Sequence, residues 1–196
     1  MANRTISVSV VIPVYNCETT IKKTIDSVLA QDNLDFEVII VDDGSTDRSA
    51  EIITKYEDAR IRYFYQENSG ISSALNYGIS QSNAEFIARI DGDDVALPNR
   101  LKVQYEILKR NIRVCLVGTA VDYINSQGVI IGRTFPYIFP FSASNILLQQ
   151  NLYAHPSVMF RKDIFLKAGG YPNELSGICE DYYLWTRMIK FGKMIN

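Results

Sequence analysis

Through the first hundred residues, short apolar runs alternate with longer stretches in which apolar residues recur at helical spacing. A run of roughly four to eight apolar, β-branched residues suits a buried strand and is too short for a helix. Four such runs predict strands at residues 8–14, 36–41, 61–65 and 86–90. The helical spacing predicts four helices, which carry Ile21, Ile25, Val28 and Leu29; then Ile52, Ile53 and Tyr56; then residues 70–80; and finally Leu101, Tyr105 and Leu108, with Pro98 in the first turn.

This alternation predicts an α/β, Rossmann-like fold in which helices flank a mostly parallel central sheet. In open sheets of this kind, ligands bind beyond the carboxyl ends of the strands. Polar residues follow the predicted strands at that end: Tyr15 and Asn16, Asp42 and Asp43, Glu67 and Asn68, and residues 91–94. We therefore expect four separate segments to converge on one edge of the sheet.

The pattern changes after residue 111. Residues 114–123 and 129–134 flank a turn at 125–128 and predict a small antiparallel addition. An aromatic loop is expected at 135–141, a helix at 142–150, a strand at 157–160, and a last helix at 180–191 with Leu184, Met188 and Phe191 inward. Gly169 and Gly170 are expected to end a helix in the left-handed conformation.

We expect one domain over residues 1–196, with a nucleotide-binding half at 1–110 and an acceptor-side half at 111–196. Residues 194–196 look like the start of another strand, so we also expect the C-terminal half to be truncated.

The amino-acid composition argues against several classes of function. With 47% hydrophobic and 21% charged residues, the chain is typical of a globular protein. The 20 basic and 22 acidic residues give a net charge of −2, which argues against a nucleic-acid binder. Three widely spaced cysteines and one histidine argue against a disulfide framework and a multi-histidine metal centre. Without a signal peptide or an apolar run of ~18 residues, the chain is expected to be cytoplasmic and to lack a transmembrane segment.

The sharpest chemical feature is Asp91-Gly92-Asp93-Asp94. Three carboxylates within four positions repel one another, and a divalent cation would relieve that repulsion. Hard oxygen ligands suit Mg²⁺ or Mn²⁺, and Mg²⁺ is usually shared with substrate phosphates. The alternative is an acidic turn in which Asp94 caps the next helix.

Two further acidic pairs are weaker signals. At the end of the second predicted strand, one of Asp42 and Asp43 would cap the following helix, and the other would accept a hydrogen bond from a nucleotide base. Glu180 and Asp181 open a predicted helix, where the helix dipole by itself favours acidic residues.

In their order along the chain, these pieces resemble the inverting family 2 glycosyltransferases, whose fold is called GT-A. The matching segments cover nearly the whole chain and are VVIPVYN at 10–16, VDDGS at 41–45, NSG at 68–70 with ALN at 74–76, DGDD at 91–94, HP at 155–156, FR at 160–161, GGY at 169–171 and EDYYLWTR at 180–187.

The resemblance implies transfer of a sugar from a nucleotide sugar, in most members a UDP-sugar, to an acceptor hydroxyl. It implies a divalent cation, Mn²⁺ or Mg²⁺, on Asp93 and Asp94, and Asp181 as the catalytic base, ranked above Glu180. The nucleotide-binding residues that it implies are Pro13, Val14, Tyr15, Asn16, Asp42, Asp43, Asn68, Gly70, Asn76, Asp91, Gly92 and Asp93.

Three residues are further candidates for contact with the donor or the acceptor. His155 would reach the diphosphate or the acceptor, or be structural. Trp185 would form part of a floor on which the sugar stacks, or belong to the core. Arg187 would approach a phosphate, or pair with an acidic side chain.

At family level, the expected acceptor is a glycan, a lipid-linked or another hydroxyl compound of bacterial surface polysaccharide synthesis. The expected location is the cytoplasm, including the inner face of the membrane.

Two alternatives stay open. Asp91-x-Asp93-x-Val95 after an apolar strand also resembles the nucleophile motif of haloacid-dehalogenase-like phosphatases, although that family places the motif on its first strand. The other alternative is a non-catalytic module that binds nucleotide sugars, although Glu180 and Asp181 would then have no role.

Overall fold

The computed structural model describes residues 6–32, 34–134 and 151–196. The first half of the chain contains β1 (Val8–Val14), α1 (Ile21–Leu29), β2 (Phe36–Asp43), α2 (Ser49–Thr54), β3 (Ile61–Gln66), α3 (Ile71–Ser80), β4 (Phe86–Arg89) and α4 (Arg100–Arg110). The second half adds β5 (Val114–Val117), β6 (Asp122–Ile124), β7 (Ile130–Arg133), β8 (Met159–Arg161), α5 (Lys162–Ala168), α6 (Glu180–Met188) and β9 (Lys193–Ile195), with 3₁₀ turns at His155–Ser157 and Asn173–Leu175.

Seven of the described strands form one sheet in the order β3-β2-β1-β4-β8-β5-β9. The first four strands are mutually parallel, β8 runs antiparallel to both of its neighbours, and β5 and β9 are parallel. The strands β6 and β7 form a separate antiparallel pair. The predicted fold class, a mostly parallel sheet with a small antiparallel addition, is confirmed.

Both faces of the sheet are covered, which explains why its central strands are apolar throughout. In β1, Val11 joins a core with residues from α3, α5 and α6. Its neighbours Val10 and Ile12 point to the other face, where they pack with residues from α1 and α4. Successive residues of one strand therefore build two different cores.

Several predicted boundaries were wrong. The run 114–123 is not one hairpin strand, because β5 ends at Val117 in the central sheet and only β6 pairs with β7. Pro98 lies before α4 and not in its first turn, because the helix starts at Arg100 behind a left-handed Asn99. The last helix ends at Met188, so Phe191 lies beyond it and is about half exposed.

The other expectations for the second half have mixed outcomes. Gly169 and Gly170 have φ values of +88° and +71°, as predicted for the end of a helix. The loop predicted at 135–141 and the helix predicted at 142–150 lie outside the described residues. Within the described ranges, every helix is too short or too polar to cross a membrane.

Candidate functional site

A cavity of about 520 Å³ opens at the carboxyl edge of β1, β2 and β4. Nine residues predicted to bind the nucleotide line it, namely Pro13, Val14, Tyr15, Asp43, Asn68, Gly70, Asp91, Gly92 and Asp93. The convergence expected from strand order is therefore present in the structure. The remaining lining residues, which were not among the predicted binding residues, are Cys17, Ile71, Ala74, Ser176 and Gly177.

Asp43 forms the side of this cavity next to α3. Its Oδ1 accepts hydrogen bonds from Gln66 Nε2 at 2.7 Å and from the Ser69 amide at 2.9 Å. Its Oδ2 accepts one from the Gly70 amide at 2.9 Å. The carboxylate thus holds the chain that enters α3 and retains one acceptor position on Oδ2.

Asp42 points to the opposite face of β2, because side chains alternate along a strand. It is fully buried, and it accepts hydrogen bonds from the Ser45 amide at 2.8 Å and from the Tyr63 hydroxyl at 3.0 Å. Its Oδ1 thus holds the turn after β2 and its Oδ2 bonds to β3, so the structure does not support its predicted contact with a nucleotide.

Asn16 and Asn76 also lie outside the cavity lining. Asn16 has a φ of +53°, and its Oδ1 accepts a hydrogen bond from the Thr46 amide at 2.8 Å. Asn76 bonds both the amide and the carbonyl of Tyr171, at 3.0 and 2.8 Å. Both asparagines organise backbone, so the structure does not support their predicted contacts with a nucleotide.

The acidic turn 91–94 is held in place from α1. Thr20 and Thr24 each donate a hydroxyl hydrogen bond to the Gly92 carbonyl, both at 3.0 Å. A Cβ atom on Gly92 would lie 3.0 Å from Cys17 Sγ, which explains the absence of a side chain at this position. Asp94 does not cap α4, because that helix begins at Arg100 and its flanking Asn99 makes no side-chain cap bond.

The carboxylates of Asp91, Asp93 and Asp94 offer ligand atoms that all lie within 4.8 Å of one another. Burial, followed by the charges of Asp91 and Asp93, raises the pKa of Asp94 to about 6. Burial also raises the pKa of Asp91, against the opposing effect of the Arg89 guanidinium. A divalent cation would offset both the burial of these negative charges and the repulsion between them. The three carboxylates therefore fit the divalent cation predicted for this turn.

Within the triad, the three carboxylates are not equivalent. Asp91 Oδ1 accepts a hydrogen bond from Arg89 Nη2, which leaves its other oxygen for a ligand. Asp93 is exposed at the cavity, and Asp94 is half-buried beside it. Each of the three offers a ligand atom, so the choice of Asp93 and Asp94 as the metal ligands stays a prediction.

Glu180 and Asp181 occupy different environments at the start of α6. Glu180 is buried, and its Oε1 lies 3.6 Å from His155 Nδ1. Asp181 is half-buried, and its Oδ2 accepts a hydrogen bond from Asn151 Nδ2 at 2.7 Å. Its negative charge also contributes to the raised pKa of Asp91, so the start of α6 lies near the acidic turn.

The three further candidates are mostly structural. Trp185 is 0% exposed and packs edge-on against His155, with ring centroids 5.9 Å apart, so the structure favours the core alternative over contact with a sugar. Arg187 stacks on Tyr183 at 5.6 Å and lies over Gly169, two turns along α6 from the acidic residues. His155 is largely buried, and its Nε2 lies 3.0 Å from the Tyr171 hydroxyl.

Sequence reasoning missed Arg89, Asn151, Ser176 and Gly177. Arg89 lies two positions before Asp91, the first residue of the acidic turn. Its place in the sequence could therefore have marked it as a candidate site residue. The others come from distant segments, and only the folded chain brings them to the site.

Comparison with known proteins agrees with this geometry. Residues 9–168 match the family model described as glycosyl transferase family 2. The O-antigen biosynthesis glycosyltransferase WbnJ of Escherichia coli is 36% identical over 185 residues, which cover 93% of this chain and 71% of WbnJ. The uncharacterized glycosyltransferase RT0329 of Rickettsia typhi is 44% identical over 199 residues, which cover 95% of this chain and 60% of that protein.

Solved structures show the same fold. S. aureus TarS 1–349 in complex with UDP superposes with a TM-score of 0.79 at 22% identity, over 97% of this chain and 57% of that one. The mannosyltransferase PcManGT from Pyrobaculum calidifontis, in complex with GDP-Man and Mn²⁺, superposes with a TM-score of 0.76 at 20% identity, over 96% of this chain and 54% of that one. The chain thus spans just over half the length of these structural neighbours. Since the family model covers most of the chain, and WbnJ is similar over nearly all of it, the chain belongs to glycosyltransferase family 2 and has the GT-A fold.

Proposed function

We propose that this protein transfers a sugar from a UDP-sugar to an acceptor hydroxyl, with inversion at the anomeric carbon. One observation carries the proposal: Asp43, Asp91 and Asp93 line a single cavity, Asp94 lies beside the latter two, and Asp181 is within electrostatic range of Asp91. A base-binding carboxylate, a cation site for a diphosphate and a second carboxylate for proton removal are the three groups that such a transfer needs.

Asp43 supports uracil over guanine. Three N–H groups already occupy its oxygens, so one acceptor position remains. Uracil presents one N–H between two carbonyl groups, whereas guanine presents two adjacent N–H donors. Tyr15, about half exposed in the cavity lining, offers a ring on which a base can stack.

Asp181 is the proposed general base. It removes the proton of the acceptor hydroxyl as that oxygen attacks the anomeric carbon from the face opposite the diphosphate. The half-buried position of Asp181 and its hydrogen bond from Asn151 support this role, whereas buried Glu180 faces His155. A divalent cation held by Asp93 and Asp94 would neutralise the negative charge that develops on the departing diphosphate.

The likeness to an O-antigen biosynthesis glycosyltransferase supports a role in bacterial surface polysaccharide synthesis. The acceptor is then a glycan, lipid-linked or other compound with a free hydroxyl. We place the reaction in the cytoplasm or at the inner face of the membrane.

Thermal unfolding with UDP, with and without Mn²⁺, tests the donor site. A ligand at a hundredfold its dissociation constant stabilises the folded protein by about 2.7 kcal/mol. In a chain of this size, we expect the Tm to rise by roughly 5–10 °C with UDP and Mn²⁺ together. GDP and ADP are the controls, and an equal rise with GDP would contradict the uracil assignment.

Hydrolysis of a panel of UDP-sugars, followed as release of UDP, tests the catalytic assignment. We expect Asp181→Asn to lower turnover by roughly 10²–10⁴-fold while UDP affinity stays nearly unchanged. Glu180→Gln is the matched control and should be affected far less. Loss of UDP affinity in Asp181→Asn would contradict the role of base. Binding of UDP without turnover by the wild type would favour a non-catalytic module.

A further inference from the structure

Arg89 is a buried cation directly behind the acidic triad. It ends β4, between β1 and β8, and only 2% of its surface is exposed. Its Nη2 donates to Asp91 Oδ1. Its Nε and Nη1 are buried and have no hydrogen-bond partner among the residues that the structure describes.

Stability alone does not account for this arrangement. Burying a guanidinium is unfavourable unless its donors are satisfied, and a buried donor without a partner is uncommon in native proteins. Arg161, on the neighbouring strand β8, shows the ordinary structural solution. Its Nε donates to the Val114 carbonyl at 3.0 Å and its Nη1 donates to Glu85 at 2.8 Å. Among the residues that the structure describes, the side chain of Arg89 has one hydrogen-bond partner, Asp91, which lines the cavity.

The charge of Arg89 acts on residues at two sides of the site, the acidic turn and the start of α6. Its charge acts on Asp91 and Asp94 in the acidic turn, where it lowers the pKa of both carboxyl groups against the effect of burial. It also acts on His155 and Tyr171, which lie behind the start of α6. The positive charge of Arg89 therefore acts both on the acidic turn and on residues that pack behind α6.

We propose that Arg89 is a positioning residue of the transfer reaction, an inference that rests on the function proposed above. Arg89 holds Asp91 toward the donor and supplies a fixed positive charge behind the departing diphosphate. The leaving group gains negative charge only as the bond to the sugar breaks. A fixed cation that is already in place therefore stabilises the transition state more than the bound donor.

Arg89→Met removes both the charge and the hydrogen bond, and Arg89→Lys keeps the charge. We expect Arg89→Met to lower kcat for donor hydrolysis by roughly tenfold to a hundredfold, with a much smaller change in the donor KM. Arg89→Lys should recover a large part of that loss. Arg113→Met is the matched control, because it removes one exposed positive charge at the opposite edge of the sheet and should leave turnover unchanged.

Binding of Mn²⁺ alone, followed by water proton relaxation, separates this role from a structural one. Removing a positive charge beside three carboxylates should leave Mn²⁺ affinity unchanged or higher in Arg89→Met. Arg161→Met, which breaks a fully bonded buried arginine, should instead lower the Tm. Loss of Mn²⁺ binding in Arg89→Met and in Arg89→Lys would mean that Arg89 only maintains the structure, and would overturn the proposal.

The failures of the two proposals are distinguishable. Turnover by the wild type together with kcat of Arg89→Met within twofold of it would overturn the role of Arg89 and leave the proposed function standing. Absence of donor turnover by the wild type would overturn the proposed function, and the role of Arg89 with it.

Discussion

At the scale of single residues, His155 is the one histidine of the chain and lies between α6 and Tyr171. Burial, and then the positive charge of Arg89, holds its pKa well below the ordinary value of 6.5. Glu180, 3.6 Å from Nδ1, does not offset these two effects. The imidazole is therefore neutral in the folded protein near pH 7 and serves as one donor and one acceptor.

The depressed pKa of His155 predicts a loss of stability in mild acid. Below pH 6.5 the unfolded chain binds a proton at this histidine and the folded chain does not, so the free energy of unfolding falls as pH falls. Between pH 7.5 and 5.5, this contribution should reach at most about 1.4 kcal/mol. Denaturant unfolding of the wild type and of His155→Gln at several pH values measures it as a difference, in which the other titrating groups cancel. Parallel pH curves for the two proteins would contradict the prediction.

Residue chemistry alone did not separate the members of the two acidic pairs. Asp42 and Asp43 are adjacent and chemically identical, yet the alternation of the strand turns one into the core and the other toward the cavity. Glu180 and Asp181 differ in the same way at the start of α6, where rotation of the helix buries one and leaves the other partly accessible.

At the scale of elements, the segment before α6, which contains Ser176 and Gly177, contacts α3 at the donor cavity and leads into the helix that carries the proposed base. Ser176 Oγ accepts a hydrogen bond from the Ser72 amide at 3.1 Å, in the first turn of α3. This bond satisfies one of the amides left open at the start of a helix, where Gly70 has no side chain to do so. Ser176 and Gly177 line the cavity, and α6 begins at Glu180.

Two glycines at this junction provide a matched test. Gly70 and Gly177 have φ values of +87° and +73°, so alanine is strained at either position. A Cβ on Gly70 would lie 2.6 Å from Ser176 Oγ, whereas a Cβ on Gly177 meets no described atom within 4 Å. We expect Gly70→Ala to lower the Tm and UDP affinity more than Gly177→Ala, as measured by thermal unfolding and by calorimetric titration. A larger loss in Gly177→Ala would contradict this ranking.

At the scale of the whole molecule, burial is distributed unevenly between the central sheet and the β6–β7 pair. Every residue of β1 and β2 is buried, whereas Tyr123 and Ile131 in the pair are exposed by more than half. No further strand pairs with β6 or β7 among the described residues, and an isolated pair of strands is marginally stable by itself. Local opening should therefore be much easier there than in the central sheet.

Amide hydrogen exchange tests this distribution. We expect amides in β1 and β2 to exchange through global unfolding, orders of magnitude more slowly than those of β6 and β7. Mass spectrometry of labelled peptides resolves the two regions. Protection of β6 and β7 equal to that of β1 would show that they are stabilised by contacts outside the described residues.

Family membership and the position of the acidic turn also exclude the phosphatase alternative. The turn follows β4, after three strand–helix units, whereas that family places its motif on the first strand. The single sheet also joins the two predicted halves, because β8 pairs with β4.

The sequence by itself determined the order of strands and helices in the first half of the chain, and with it the edge at which ligands bind. Apolar periodicity is a local property, and the rule that parallel strands present their carboxyl ends on one side requires no coordinates. The cluster of Asp91, Asp93 and Asp94 was visible for the same reason, because its members are neighbours in the chain.

Only the tertiary structure decided which polar residues reach the cavity. Ser176 meets Ser72 across 104 positions, and Trp185 is buried by rings from β8 and from the segment after α5. Sequence alone could not single out Arg89 either. Its Nε and Nη1 have no hydrogen-bond partner among the described residues, and that depends on the packing around the side chain. Burial and hydrogen-bond satisfaction depend on residues distant in sequence, so a local pattern names candidates and the packing selects among them.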